Sequence, residues 1–191
     1  MRKLKLQVQV SIDGYVAGPN GEMDWMEWNW DDQLKAHVND LTSPVGTILL
    51  GRKIADGFIS HWESLMAKPD DPQFAFAKKM VETPKVVFTR TLPESSWKNT
   101  VLATGSLSAE INKLKKQQDG TDIIVYGGAT LVSSLIEEEL IDEYHLFVNP
   151  AAIGRGLSIF AGLHEQRRFV LKKATPFACG IVVIHYDHDK G

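Results

Sequence analysis

The chain has a single cysteine, Cys179, among its 191 residues. One thiol cannot close an internal disulfide and leaves no thiolate set for a structural zinc site, which fits a reducing, cytoplasmic setting. Long apolar runs are missing too. The N-terminus opens on charges and alternation instead of an apolar signal core, and no segment has the length to cross a bilayer. There is no excess of positive charge, with 21 Lys and Arg against 24 Asp and Glu, so a phosphate-neutralising face and a nucleic-acid partner are not expected. Internal repeats, low-complexity linkers and a Gly-x-Gly-x-x-Gly fingerprint are all absent, and the last absence excludes a standard Rossmann turn. With 43% hydrophobic and 24% charged residues, what remains is one ordinary globular domain over residues 1–191.

The most informative stretch is Asp122-Ile123-Ile124-Val125-Tyr126-Gly127-Gly128-Ala129-Thr130-Leu131. A β-branched apolar run stops at two glycines, and apolar residues then recur as Leu131, Val132, Leu135, Ile136 and Leu140. The period thus changes from strand-like to helical across the glycine pair. With no Cβ there, the backbone can turn sharply and lie against a ligand while the first helical N–H groups point outward, an arrangement suited to an anion.

The rest of the chain repeats this grammar. Leu4, Leu6, Val8 and Val10 alternate with Lys3, Lys5, Gln7 and Gln9, the pattern of a strand with one apolar face. A glycine-rich loop follows, ending in Trp25, Trp28 and Trp30, whose rings would either stack on a flat heterocycle or pin the loop to the body. Asp31 and Asp32 precede a helical run through Leu34, Val38 and Leu41; a carboxylate there is an N-cap or a buried acid that orients substrate. A second strand over 47–50 ends at Gly51-Arg52-Lys53, and a third over 85–88 ends at Thr89-Arg90-Thr91. Cations at a helix N-terminus oppose its dipole, so Arg52 and Lys53 have either a bound phosphate or plain solvation to account for them. Helical spacing marks 74–80 and 106–118, short strands fit 100–103 and 143–148, and 169–174 with 180–186 form a hairpin.

Strands alternating with helices and closing on a hairpin predict a three-layer α/β/α fold, its mixed sheet mainly parallel with a C-terminal antiparallel hairpin. Ligands bind such sheets off the carboxyl ends of the strands, where Gly51, Arg52, Lys53, Thr89, Arg90, Gly127 and Gly128 would gather. Two glycine-opened helices suit a pyrophosphate and two arginines suit a further phosphate monoester, which favours NADPH over NADH.

The succession Ser11-Ile12-Asp13-Gly14 with Ala17-Gly18-Pro19-Asn20-Gly21, Leu50-Gly51-Arg52, Val87-Phe88-Thr89-Arg90, Tyr126-Gly127-Gly128-Ala129 and Gly154-Arg155-Gly156 resembles the dihydrofolate reductase-like superfamily. Within it, the likeness is to the branch of the riboflavin-biosynthesis reductase domain. The resemblance implies an eight-stranded sheet, NADPH as hydride donor and a homodimer. It also implies that Ala17 and Gly18 lie near the nicotinamide, that Gly51, Arg52, Lys53, Thr89 and Arg90 hold the 2′-phosphate side, and that Gly127, Gly128, Ala129, Thr130 and Leu131 cradle the pyrophosphate. Asp31 falls near the family's acidic substrate anchor, a place for which Trp30 and Asp32 compete. Three positions depart from the pattern: Ile54 replaces a hydroxyl residue, and Gln7 and Tyr15 stand where riboflavin reductases carry cations. A phosphorylated ribosyl substrate is therefore not expected, nor is a deaminase partner domain, since one cysteine cannot supply its zinc site.

The resemblance, with these departures, implies hydride transfer to a C=N or C=O carbon of a small planar, pteridine- or pyrimidine-like heterocycle. Trp25 or Trp28 would form a wall, Gln9 a hydrogen bond to substrate, and Asp31 or water the proton source. Two rivals are a dihydrofolate reductase proper and a non-catalytic nucleotide-binding or regulatory protein of the same fold. No metal site is expected: His37, His61, His145 and His164 lack partners at ligand spacing, and His185-Tyr186-Asp187-His188 reads as a strand end and tail.

Overall fold

The computed structural model describes residues 1–189. Its strands are β1 (Leu4–Val10), β2 (Val45–Gly51), β3 (Lys85–Phe88), β4 (Thr100–Ala103), β5 (Asp122–Gly127), β6 (Glu143–Val148), β7 (Phe169–Pro176) and β8 (Val182–His188). Its helices are α1 (Asp32–Thr42), α2 (Arg52–Met66), α3 (Phe74–Glu82), α4 (Leu107–Lys115) and α5 (Ala129–Glu137). The strands form one eight-stranded sheet in the order β4-β3-β2-β5-β1-β6-β8-β7. Pairing is parallel from β4 through β6; β8 then runs antiparallel to β6 and β7 antiparallel to β8.

Alternation decides which side of the sheet each helix covers. Leu4, Leu6, Ile123, Val125 and Tyr144 point to one face, where Ile111 of α4 and Val132, Leu135 and Ile136 of α5 complete the core. Ile48, Leu50, Val87 and Ile124 point to the other, against Ala55 and Ile59 of α2 and Met80 of α3. On that second face α1 lays Leu34, Val38 and Leu41 over Phe147 and Val183. The expected three layers, parallel centre and terminal hairpin are all present.

The polar residues of β1 are shielded from water, because β1 is an inner strand flanked by β5 and β6: Lys5 and Gln7 are buried, and Gln9 is half-buried. Lys5 offsets its burial by pairing with Asp122 at 2.8 Å.

Candidate active site

Because β3, β2, β5 and β1 are successive parallel neighbours, their carboxyl ends form a single edge. Gly51 pairs with Phe88, and Leu50 with Gly127, so the second, third and fifth strand ends lie side by side. Adjacent strands are roughly 5 Å apart, and residues distant in sequence thus stand within the span of one dinucleotide. The Gly127–Gly128 peptide is cis, and Gly127 has a φ of 136°, a value open to glycine and strained for other residues.

α2 starts behind Gly51 and α5 behind Gly128, neither with a side-chain cap nor with an acidic residue in its first turn. Their leading N–H groups are left to solvent or to an anion. Arg52, Lys53 and Arg90 are exposed at this edge, and no ion pair ties any of them down among the described residues. Thr130 is exposed at the start of α5, with Ala129 and Leu131 half-buried beside it. A side chain on Gly51 would bring its Cβ within 3.0 Å of the Gly128 nitrogen, and one on Gly128 would come within 3.3 Å of Ile54. Ile54, the departure from the expected hydroxyl, thus closes the cradle as packing. Thr89 is buried, and its hydroxyl oxygen accepts the Thr91 and Leu92 N–H groups, each at 3.1 Å, so it shapes the loop that carries Arg90.

The loop after β1 is held from two directions. Asp13 takes the N–H of Gly154 at 2.6 Å and the hydroxyl of Ser11 at 2.6 Å. The Ser11 bond first, and then the backbone bonds, hold its carboxyl below the usual range. Two of the motifs noted in the sequence, one near each end of the chain, are therefore a single contact. Further along, Ala17 is buried and bridges to Leu157, and Gly18 is buried next to it.

Beyond Gly127 the edge becomes aromatic. Phe147 stacks on Trp30 at 6.2 Å, and Trp30 on Trp28 at 6.2 Å, a column that runs from the core to a Trp28 ring 61% exposed. Trp25 is half-buried, its indole nitrogen without a partner among the described residues. Trp30, one of the three loop tryptophans and also a rival for the acid position, is thus the middle of the wall. Asp31 is the N-cap of α1: one oxygen accepts from the Leu34 N–H at 2.8 Å and the other from the Cys179 N–H at 3.0 Å. Those bonds, Leu34's foremost, lower its pKa, so Asp31 does not fit the role of proton donor near neutral pH.

A histidine group also forms that no sequence spacing announced. His145 and His185 face each other across β6 and β8, rings stacked at 4.2 Å, and a ring nitrogen of each lies within 4.8 Å of the Glu143 carboxylate. Lys3 sits 2.6 Å and Lys5 3.9 Å from that carboxylate, so two ammonium groups already supply the balancing charge a metal would bring. Bonds from His145, then Lys3, hold Glu143 down at about 2 in spite of its burial. Burial, reinforced by His145, lowers His185, while Glu143 and Asp187, the latter 3.3 Å from its Nε2, oppose the shift.

Sheet order, terminal hairpin and glycine-opened helices define a dihydrofolate reductase-like α/β domain. More narrowly, the chain belongs to the RibD C-terminal domain family, whose model matches residues 2–183. It is 32% identical over 187 residues, 97% of this chain and 94% of the relative, to the uncharacterized protein YyaP of Bacillus subtilis (strain 168). In three dimensions it is similar to a putative riboflavin biosynthesis protein from Shewanella sp. PV-4, with a TM-score of 0.71, 22% identity and full coverage of both chains. A deaminase and 5-amino-6-(5-phosphoribosylamino)uracil reductase from Thermotoga maritima matches 98% of this chain and 57% of its own, with a TM-score of 0.67 and 16% identity. Among the described residues no helix is long and apolar enough to cross a membrane.

Proposed function

We propose that this protein is a cytoplasmic NADPH-dependent reductase that delivers hydride to a C=N or C=O carbon of a small planar heterocycle. The observation that carries the proposal is the convergence on one sheet edge, beside an aromatic wall, of two glycine-headed helices without side-chain caps and three exposed cations that have no ion-pair partner among the described residues. The residues present fit the cofactor: Gly51 and Gly127 to Leu131 make a cradle that a Cβ would fill, and Arg52, Lys53 and Arg90 supply charge for a 2′-phosphate. NADPH, when bound, supplies the hydride. Ala17 and Gly18 would border its nicotinamide side, and Thr89 would act through the loop it folds.

The protein's part is placement and exclusion of water. Trp28 and Trp30 offer an apolar surface for a ring, stacked on the buried Phe147, with the half-buried Trp25 earlier on the same loop and Gln9 beside Phe147 at the foot of the column. Since Asp31 stays ionised, the proton that completes reduction comes from water. Gln7 is buried inside the sheet and cannot meet a substrate phosphate, in keeping with a substrate lacking a phosphorylated ribose. A homodimer belongs to the same proposal and is read by sedimentation equilibrium.

The test is NADPH oxidation followed at 340 nm with oxidised and dihydro forms of pteridines, pyrimidines and folate. Turnover of a non-folate ring is expected. Dihydrofolate as the strongly preferred substrate would instead make the protein a dihydrofolate reductase, and saturable NADPH binding without turnover of any ring would make it a non-catalytic binder.

A further inference from the structure

Asn149, directly after β6, is fully buried. Its Oδ1 accepts the Glu27 N–H at 2.8 Å, while its Nδ2 donates to the Phe147 carbonyl at 3.0 Å and to Gln9 Oε1 at 2.7 Å. The two ends of an amide are normally interchangeable by a flip. Here they are not, because a backbone N–H can only donate and a backbone carbonyl can only accept. Reversing Asn149 would set donor against donor at Glu27 and acceptor against acceptor at Phe147, in a place where no water reaches.

That polarity passes to the next side chain. Gln9 meets Asn149 with its oxygen, so its Nε2 hydrogens point away; they have no partner among the described residues, and the side chain is only half-buried. Gln9 pairs with Phe147 across β1 and β6, and Phe147 is the base of the tryptophan column. The free end of the amide thus stands at the foot of the aromatic wall. The loop that carries the wall is fastened to the same unit: Trp30 Nε1 donates to the Glu27 carbonyl at 2.7 Å.

We infer that Gln9 is a specificity residue that presents N–H donors to the ring, with Asn149 as the positioning residue that sets the direction. The site selects a heterocycle whose edge offers a carbonyl oxygen or an unprotonated ring nitrogen, and rejects one that offers amino groups or a protonated amidine there. An acidic anchor would make the opposite choice, but both oxygens of Asp31 are on backbone donors. The inference deepens the reductase proposal by naming the substrate's polar edge, and it rests on that proposal for the ring's place against the tryptophans.

Calorimetry with two rings of one shape tests it: lumazine, the dioxo pteridine, and 2,4-diaminopteridine, each with and without saturating NADP. Wild type should bind lumazine at least tenfold more tightly. Gln9→Glu, which replaces the donors with an acceptor, should reverse the order, and Asn149→Leu should bring the two affinities within about threefold. Melting curves establish that each variant is folded; should Asn149→Leu fail to fold, Gln9→Glu and Gln9→Met carry the test alone. Preference for the diamino ring, an unchanged ratio in Gln9→Glu, or no binding of either ring up to millimolar concentration would overturn the inference. NADP binding is scored separately in the same experiment. Its absence would sink the reductase proposal, while the ratio in cofactor-free protein still decides the role of Gln9.

Discussion

Gly51 and Gly128, 77 residues apart, leave only 3.0 Å between the position of a Cβ on the first and the backbone nitrogen of the second. Neither partner can swing aside, since the contact is with main chain on a neighbouring strand end. Gly51→Ala should therefore push the two helix starts apart. We expect a loss of about 1–2 kcal/mol, or about 2–8 °C in melting temperature, together with at least tenfold weaker NADPH binding. Unchanged NADPH affinity would show that this approach is packing alone.

Arg90 is exposed, follows Thr89 on a loop shaped by that hydroxyl, and has no acidic partner among the described residues. Arg90→Ala should weaken NADPH at least tenfold while NADH changes by less than about threefold, since only NADPH carries the extra phosphate. Equal losses for both would remove the case for a phosphate-selective cofactor site.

Asp31 separates a structural from a chemical role. Asp31→Asn keeps an N-cap acceptor and should leave turnover within a few-fold of wild type, with no new pH dependence between 6 and 8. A proton donor lost from the site would instead lower turnover by about a hundredfold or more. Asp31→Ala removes the cap and the tie to Cys179, and is expected to cost about 1–2 kcal/mol of stability.

Glu143 predicts an acid limb. Its folded-state pKa, about 2, lies below the ordinary 4.5. Because the folded value is depressed, its contribution is complete above about 4.5 and is lost as pH falls from there through about 2. Urea midpoints measured from pH 6 to pH 2.5 should drop steeply for wild type and more gently for Glu143→Gln; parallel curves would contradict the assignment.

Lys85 predicts the opposite limb. Burial lowers its pKa to about 8 beneath the end of α3, where it donates to the Val81 and Thr83 carbonyls. The cost of the buried charge is full below about 8 and relieved as pH rises from there to 10.5, so stability should rise across that window. Lys85→Met should flatten the rise, as read from urea midpoints between pH 7.5 and 10.

Much of this architecture was legible because its signals are local. Alternation in β1, the change of period at Gly127 and Gly128, and glycine at the end of β2 each reveal an element within about ten residues. Three-layer order followed from the succession of elements, and the strand-end edge from their parallel pairing. What escaped was long-range. Asn149, just past the strand pattern of 143–148, gives no local sign that its amide joins β1, β6 and the tryptophan loop; Asp13 and Gly154 belong to two separate motifs of the sequence and are one contact. The grouping of Glu143, His145 and His185 depends on the register between β6 and β8, which no spacing encodes. Asp31 was legible as a cap, but its second bond, to Cys179, comes from the far hairpin.

The central claim is that the edge formed by Gly51, Arg90 and Gly128 grips one reduced dinucleotide. Calorimetric titration of the wild-type protein with NADPH, and in parallel with NADH, tests it most directly. Saturable one-to-one binding of NADPH in the micromolar range, at least tenfold tighter than NADH, is the predicted result. No saturable heat with NADPH up to millimolar concentration would contradict the account.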